Sequence, residues 1–206
     1  MPIQQPTIPE FSNFYRQSCQ HKRQRGNEAD SQQGQAEAKA WLACLSSDSR
    51  PRWCNAQTVA NLSCALRNYG FTIQKDREVL VDLLRLIGEV AEGFNAQEIA
   101  NSLLALNQMG VRWGYLPRGL DEKLWAAVDR NAKDFNAQEI SNSLLALDQM
   151  GMHWGELPMR ISQKLWAAVS RNAKYFNPQN IANSLLALNQ MGLRWGDLPK
   201  SLREDL

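Results

Sequence analysis

The sequence predicts an all-α fold, a right-handed α-solenoid of stacked helical hairpins. Two observations lead there. The stretch Phe94–Gly110 (FNAQEIANSLLALNQMG) returns at Phe135–Gly151 and again at Phe176–Gly192, each start 41 residues after the last. A period of that length marks a supersecondary unit that cannot bury its apolar face alone, so the units must stack. Within each copy the apolar residues follow helical spacing, and no segment alternates as a half-buried strand would. Phe94–Asp134 and Phe135–Tyr175 agree at 29 of 41 positions without a gap, so the copies share one backbone.

Taken in order, residues 1–35 are rich in glutamine, hold Pro2, Pro6 and Pro9, and show no helical stripe. So little apolar surface cannot offset the entropy of ordering, and a mobile tail is expected. The basic run His21-Lys22-Arg23-Gln24-Arg25 inside it reads as a solvated cluster, with a nucleic-acid contact or a localisation signal as alternatives. The solenoid is expected over residues 36–206. Its first part, 36–53, reads as a half repeat, because Glu37–Leu45 resembles Glu122–Val128. Residues 54–93 are a divergent, N-terminal capping repeat, with FTIQKDRE in place of the Trp-Gly-x-Leu-Pro loop and a second helix over Asp76–Glu92. Full repeats follow at 94–134 and 135–175, then a truncated one at 176–206.

Each unit reads as a pair of helices. Asn95, Asn136 and Asn177 are N-caps, because a short side-chain acceptor can take a free N–H of the first turn. Glu98 and Glu139 stand at the capping-box position, and Pro178 at N1, where its missing donor costs nothing. Ile99, Leu103, Leu104 and Leu106 form the apolar face, and Gly110, Gly151 and Gly192 terminate the helix. Pro117, Pro158 and Pro199 then open the second helix, whose stripe is Leu120, Leu124, Trp125 and Val128, repeated at Ile161, Leu165, Trp166 and Val169. Leu185, Leu188 and Leu202 would lack a complete partner surface, which points to a longer parent or a pairing partner.

Repetition turns equivalent residues into rows, and the rows are the candidate ligand-binding sites. Asn61, Asn101, Asn142 and Asn183 recur in mid-helix, where Asn is a poor helix former. They read either as a hydrogen-bonded ladder between neighbouring units or as a row that grips an extended ligand. Gln97, Gln138 and Gln179 lie a turn earlier. Asn107, Asp148 and Asn189 are equivalent but variable, as the reading residues of a one-base-per-repeat protein would be, and as drifting surface sites would also be. Lys123, Arg130, Lys164 and Arg171 form a basic ladder that could follow phosphates, although acidic neighbours interleave with it. Trp113, Trp154 and Trp195 read as plugs between hairpins, with base stacking as the alternative.

Composition narrows the classes. A hydrophobic share of 44% and a charged share of 21% suit a soluble globular chain. No apolar run is long enough to span a membrane, and no secretory signal is visible. Cys19, Cys44, Cys54 and Cys64 form no CxxC pair and have no histidine at ligand spacing, so no metal is expected. With His21 and His153 as the histidines, no catalytic set assembles. The expectation is a non-enzymatic binding protein without cofactor or small-molecule substrate, in the cytoplasm, with an organelle or a host cell as alternatives.

The pattern F-N-x-Q-x-I-A-N-S-L-L-A-L followed by M-G resembles the octotricopeptide-type repeats. It also resembles the SKWP repeats of plant-pathogen effectors and helical repeats in proteins of intracellular bacterial pathogens. The resemblance implies a helical-hairpin array and, through the octotricopeptide-like group, RNA as the ligand, with Asn101, Asn142 and Asn183 and their Gln partners in the groove. Two readings are carried forward. One is RNA binding, with the amide row on bases and the basic ladder on phosphates. The other is a scaffold for a protein partner or an extended peptide, an effector among its forms.

Overall fold

The computed structural model describes residues 7–24, 28–198 and 203. The helices are α1 (Ile8–Gln24), α2 (Glu28–Leu45), α3 (Ala56–Asn68), α4 (Arg77–Val90), α5 (Ala96–Gln108), α6 (Leu120–Asn131), α7 (Ala137–Gln149), α8 (Met159–Asn172) and α9 (Pro178–Gln190). Among the described residues there is no strand. The expected helix start at Pro199 and the apolar Leu202 lie outside the described residues, as do Pro2, Pro6 and Arg25.

Local chemistry starts and stops each first helix. Asn95 Oδ1 accepts from Glu98 N at 2.9 Å while Glu98 Oε2 accepts from Asn95 N at 2.9 Å. Asn136 and Glu139 repeat this box, and in the last unit Asn180 takes the role of the glutamate. At the other end Gly110, Gly151 and Gly192 adopt φ of 81°, 87° and 97°, where a side chain would be strained. The turn lets Val111 N reach back to Leu106 O at 3.0 Å, closing the helix. Second helices start less uniformly. α8 begins directly after Pro158, whereas Gly119 at φ 82° delays α6 to Leu120.

The helices form two layers. α1, α3, α5, α7 and α9 pack side by side as one, and α2, α4, α6 and α8 lie against them as the other, touching one another more sparsely. The first helices approach closely because they meet through small residues. Ala100, Ala105, Ala146, Ser102, Ser141, Ser143 and Ser184 are all buried. Between the layers runs one continuous core that includes Phe94, Phe135, Ile99, Ile140, Leu124 and Leu165. Neighbouring loops are also tied by backbone bonds. Trp113 N donates to Met150 O at 2.9 Å, Trp154 N to Met191 O at 2.9 Å, and Ile73 N to Met109 O at 2.8 Å.

The expected mobile tail over residues 1–35 is corrected where the structure describes it, at residues 7–24 and 28–35. Residues 8–24 form α1, and α2 begins at Glu28, well before Ala36. Phe11, Phe14 and Ser18 of α1 are buried, with Tyr15 partly so. Phe11 meets Trp41 edge-on at 5.1 Å, and Phe14 stacks on Tyr69 at 6.0 Å. The half repeat at 36–53 is thus the second half of a complete α1–α2 hairpin stacked on α3 and α4. Gly34 is part of that contact, since a Cβ there would overlap the Tyr69 ring. Of the basic run, Lys22 and Arg23 are exposed in the last turn of α1, where the helix dipole favours cations, and His21 is half-buried against Tyr69 at 5.1 Å.

Candidate functional site

Burial along α5 separates its two faces. Ala96, Ile99, Ala100, Leu103 and Leu106 are buried, whereas Gln97 and Gln108 are exposed and Asn101, Leu104 and Asn107 are half-buried. Gln97, Asn101, Leu104 and Gln108 recur at four, three and four residues, so they share one stripe of the helix. α7 presents Gln138, Asn142, Leu145 and Gln149 in the same way, and α9 presents Gln179, Asn183, Leu186 and Gln190. Because the first helices lie side by side, these stripes merge into one surface on the side away from the second helices. The amides expected in rows stand in rows.

The leucines correct one expectation. Leu104 departs from the buried face expected of it: it is half-buried, as is Leu145, and Leu186 is 49% exposed. Each repeat thus sets an apolar side chain between two amides on open surface. Periodicity blurs this because Leu103 and Leu104 are adjacent and both apolar. In the divergent repeat the equivalent Cys64 is 4% exposed beside α1, so the leucine row does not extend there. Asn61, half-buried, continues the asparagine row on α3.

Hydrogen bonding settles what the asparagines do for the fold. Among the described residues the side chains of Asn61, Asn101, Asn142 and Asn183 make no hydrogen bond, so they are not an inter-repeat ladder. Side-chain ties between neighbouring first helices come from Asn107, whose Nδ2 donates to Gln149 Oε1 at 2.5 Å, and from Ser141, whose Oγ donates to Asn180 O at 3.4 Å. Asp148, at the equivalent position, is partly buried. Burial pushes its carboxyl up from the ordinary value, and His153 partly opposes this. Asn189 is exposed.

Each cation of the basic ladder has a partner within the stack, although Lys123, Arg130 and Arg171 stay exposed. Lys123 Nζ donates to Gly88 O at 2.7 Å, and Lys164 Nζ to Asp129 O at 2.7 Å, each in the last turn of the preceding second helix. Arg171 Nη2 donates to Ala132 O at 2.9 Å, and Arg130 Nη2 reaches Phe94 O at 3.4 Å. Carbonyls at helix C-termini lack intrahelical donors and carry partial negative charge, so these cations serve them well. Asp129 Oδ1 adds ion pairs to Arg160 Nε at 2.8 Å and Lys164 Nζ at 2.7 Å. Sequence reading missed the asparagines that latch each second helix. Asn131 and Asn172 Nδ2 donate to Phe94 O and Phe135 O, both at 2.8 Å. Their recurrence in Arg-Asn-Ala-Lys was the available signal.

Ladder and amide surface belong to different layers. Charge separates them too. α5, α7 and α9 contain no Lys, Arg or His, while Glu98, Glu139 and Asp148 are acidic. Trp113 and Trp154 are part of the packing, against Trp125 at 4.4 Å and Trp166 at 4.8 Å, while Trp195 is 53% exposed. No helix among the described residues is long and apolar enough to cross a membrane.

Comparison with curated proteins gives no match. A family described as "Protein of unknown function (DUF1601)" matches three successive segments, residues 82–103, 109–144 and 150–185. The last two segments start 41 residues apart, the period of the stacked hairpins. The match establishes repeats; it does not extend to an octotricopeptide-like or SKWP-like identity. The chain is a helical repeat protein, and over residues 82–185 it carries tandem matches to that family.

Proposed function

We propose that the chain is a non-enzymatic scaffold that binds a protein partner, in the form of an extended peptide, across the exposed surface of α5, α7 and α9. The supporting observation is the Gln–Asn–Leu–Gln stripe presented by all three helices without a single cation. Amides offer both donors and acceptors, which suits a peptide backbone, and the leucine between them suits an apolar side chain. Adjacent helices lie about 9 Å apart, and an extended chain advances about 3.3 Å per residue. A peptide crossing the helices would therefore meet a new leucine at about every third residue. RNA is the less favoured ligand. A phosphate backbone needs cations along its path, and α5, α7 and α9 contain none.

The test is affinity capture with and without nuclease, comparing the native chain with a Leu145→Asp, Leu186→Asp double variant. Protein partners that survive nuclease and are lost on the variant are expected, with far-UV circular dichroism unchanged. Retention of partners by the variant, or release of every partner by nuclease, would overturn the reading.

A further inference from the structure

The loops after α5 and α7 fill the same space in the same way. Trp113 packs on Trp125, and Trp154 on Trp166. Two bonds give the register of the divergent repeat against them. Ile73 N donates to Met109 O as Trp113 N does to Met150 O, so Ile73 stands at the tryptophan of the loop. Lys123 Nζ bonds Gly88 O as Lys164 Nζ bonds Asp129 O. Counting back the same distance from Gly88 and Asp129, Leu84 stands where Trp125 does. Two indoles have thus given way to two smaller aliphatic side chains.

A half-open cleft of about 610 Å³ lies at this place, and both replacements line it. That volume lies within the range of ligand pockets, roughly 300–1,000 Å³. Val81, in register with Glu122, extends the apolar wall and is 42% exposed. Tyr115, 81% exposed, is also among the lining residues. Among the described residues, the charged ones lining the cleft are Arg77 and Arg112, with no carboxylate. Among the described residues the Arg112 side chain bonds only through Nη1, to Gln149 O at 2.8 Å, and the Arg77 side chain makes no hydrogen bond or ion pair. The neighbouring repeats show that an aromatic ring suits this position, and the cationic lining selects the sign of what accompanies it.

We propose that the cleft between α4 and the loop after α5 docks an acidic segment of a partner protein through an aromatic side chain. The ring would sit on Ile73 and Leu84, and flanking carboxylates would meet Arg77 and Arg112. This site is separate from the α5–α7–α9 surface and does not rest on its assignment.

Fluorescence anisotropy of a short labelled peptide, one tryptophan flanked by aspartate and glutamate, tests the proposal on the full chain. Replacing the peptide's tryptophan with alanine, or its acids with lysine, should weaken binding by about tenfold or more, as should Arg77→Glu in the protein. An Ile73→Trp, Leu84→Trp variant supplies the missing pair and should abolish binding. If that variant does not fold, Val81→Glu, which places the neighbouring repeat's residue in the wall, and Arg77→Glu decide the matter. No binding to the native chain, equal binding of the alanine peptide, or insensitivity to these substitutions would overturn the proposal. So would a concentration-dependent dimer competed by the peptide, because a second copy would then be the occupant.

Discussion

Asp129 illustrates why a charged residue in a repeat is hard to assign from its neighbours in sequence. Its carboxylate lies between Lys164 and Arg160, which belong to the following unit. The hydrogen bond from Lys164 is the chief cause holding its pKa below the ordinary carboxylate value, with Arg160 adding to it. The folded state therefore holds that proton less tightly than the unfolded chain. Its contribution to stability is present above the unfolded Asp range, about 3.9, and disappears as pH falls through the lower folded value. Asp129→Asn should lower the Tm at neutral pH and flatten the acid side of a Tm-against-pH curve. An unchanged acid limb would count against the pairing. Asp148 has the opposite sign, since burial raises its pKa. Its ionised form costs stability above the titration, and that cost is relieved as pH falls.

Helix α1 carries the clearest lesson about single elements. Its buried stripe, the aromatic Phe11, Phe14 and Tyr15 with the polar Ser18, has helical spacing, but glutamines and a basic last turn dilute it. An isolated helix of that composition would be marginal in water, and tertiary packing supplies most helical stability in proteins. Here the packing comes from an aromatic cluster. Phe11 and Phe14 meet Trp41, Phe14 meets Tyr69, and Trp41 meets Trp53 at 6.2 Å. Phe14 is fully buried. Phe14→Ala should therefore cost about 3–5 kcal/mol, the range for a deleted core aromatic. Urea unfolding followed by circular dichroism would measure it. A loss below about 1 kcal/mol, typical of surface substitutions, would mean that α1 is not docked.

For the molecule as a whole, stability should behave as in a one-dimensional array, the sum of unit and neighbour terms. Inserting a second copy of residues 135–175 after Tyr175 would add one hairpin and one more interface of an existing kind. The urea midpoint and the m-value should both rise, because more surface is buried per molecule. A chain no more stable than the parent would show that the interfaces contribute little.

The 41-residue period, the capping boxes at Asn95 and Asn136, and the terminating glycines are local facts, and they were legible before any coordinates. They suffice for stacked hairpins, because a helix with an unpaired apolar stripe has few ways to bury it. The fate of individual side chains on that scaffold was not legible. Lys123 and Gly88 are 35 residues apart, and only the stacked arrangement brings the amine onto the carbonyl. The open leucine row and the cleft at Ile73 and Leu84 have the same origin. Whether a leucine is core or surface, and whether a loop fills its space, depends on what the neighbouring unit places beside it. That neighbour is defined by packing, not by adjacency along the chain.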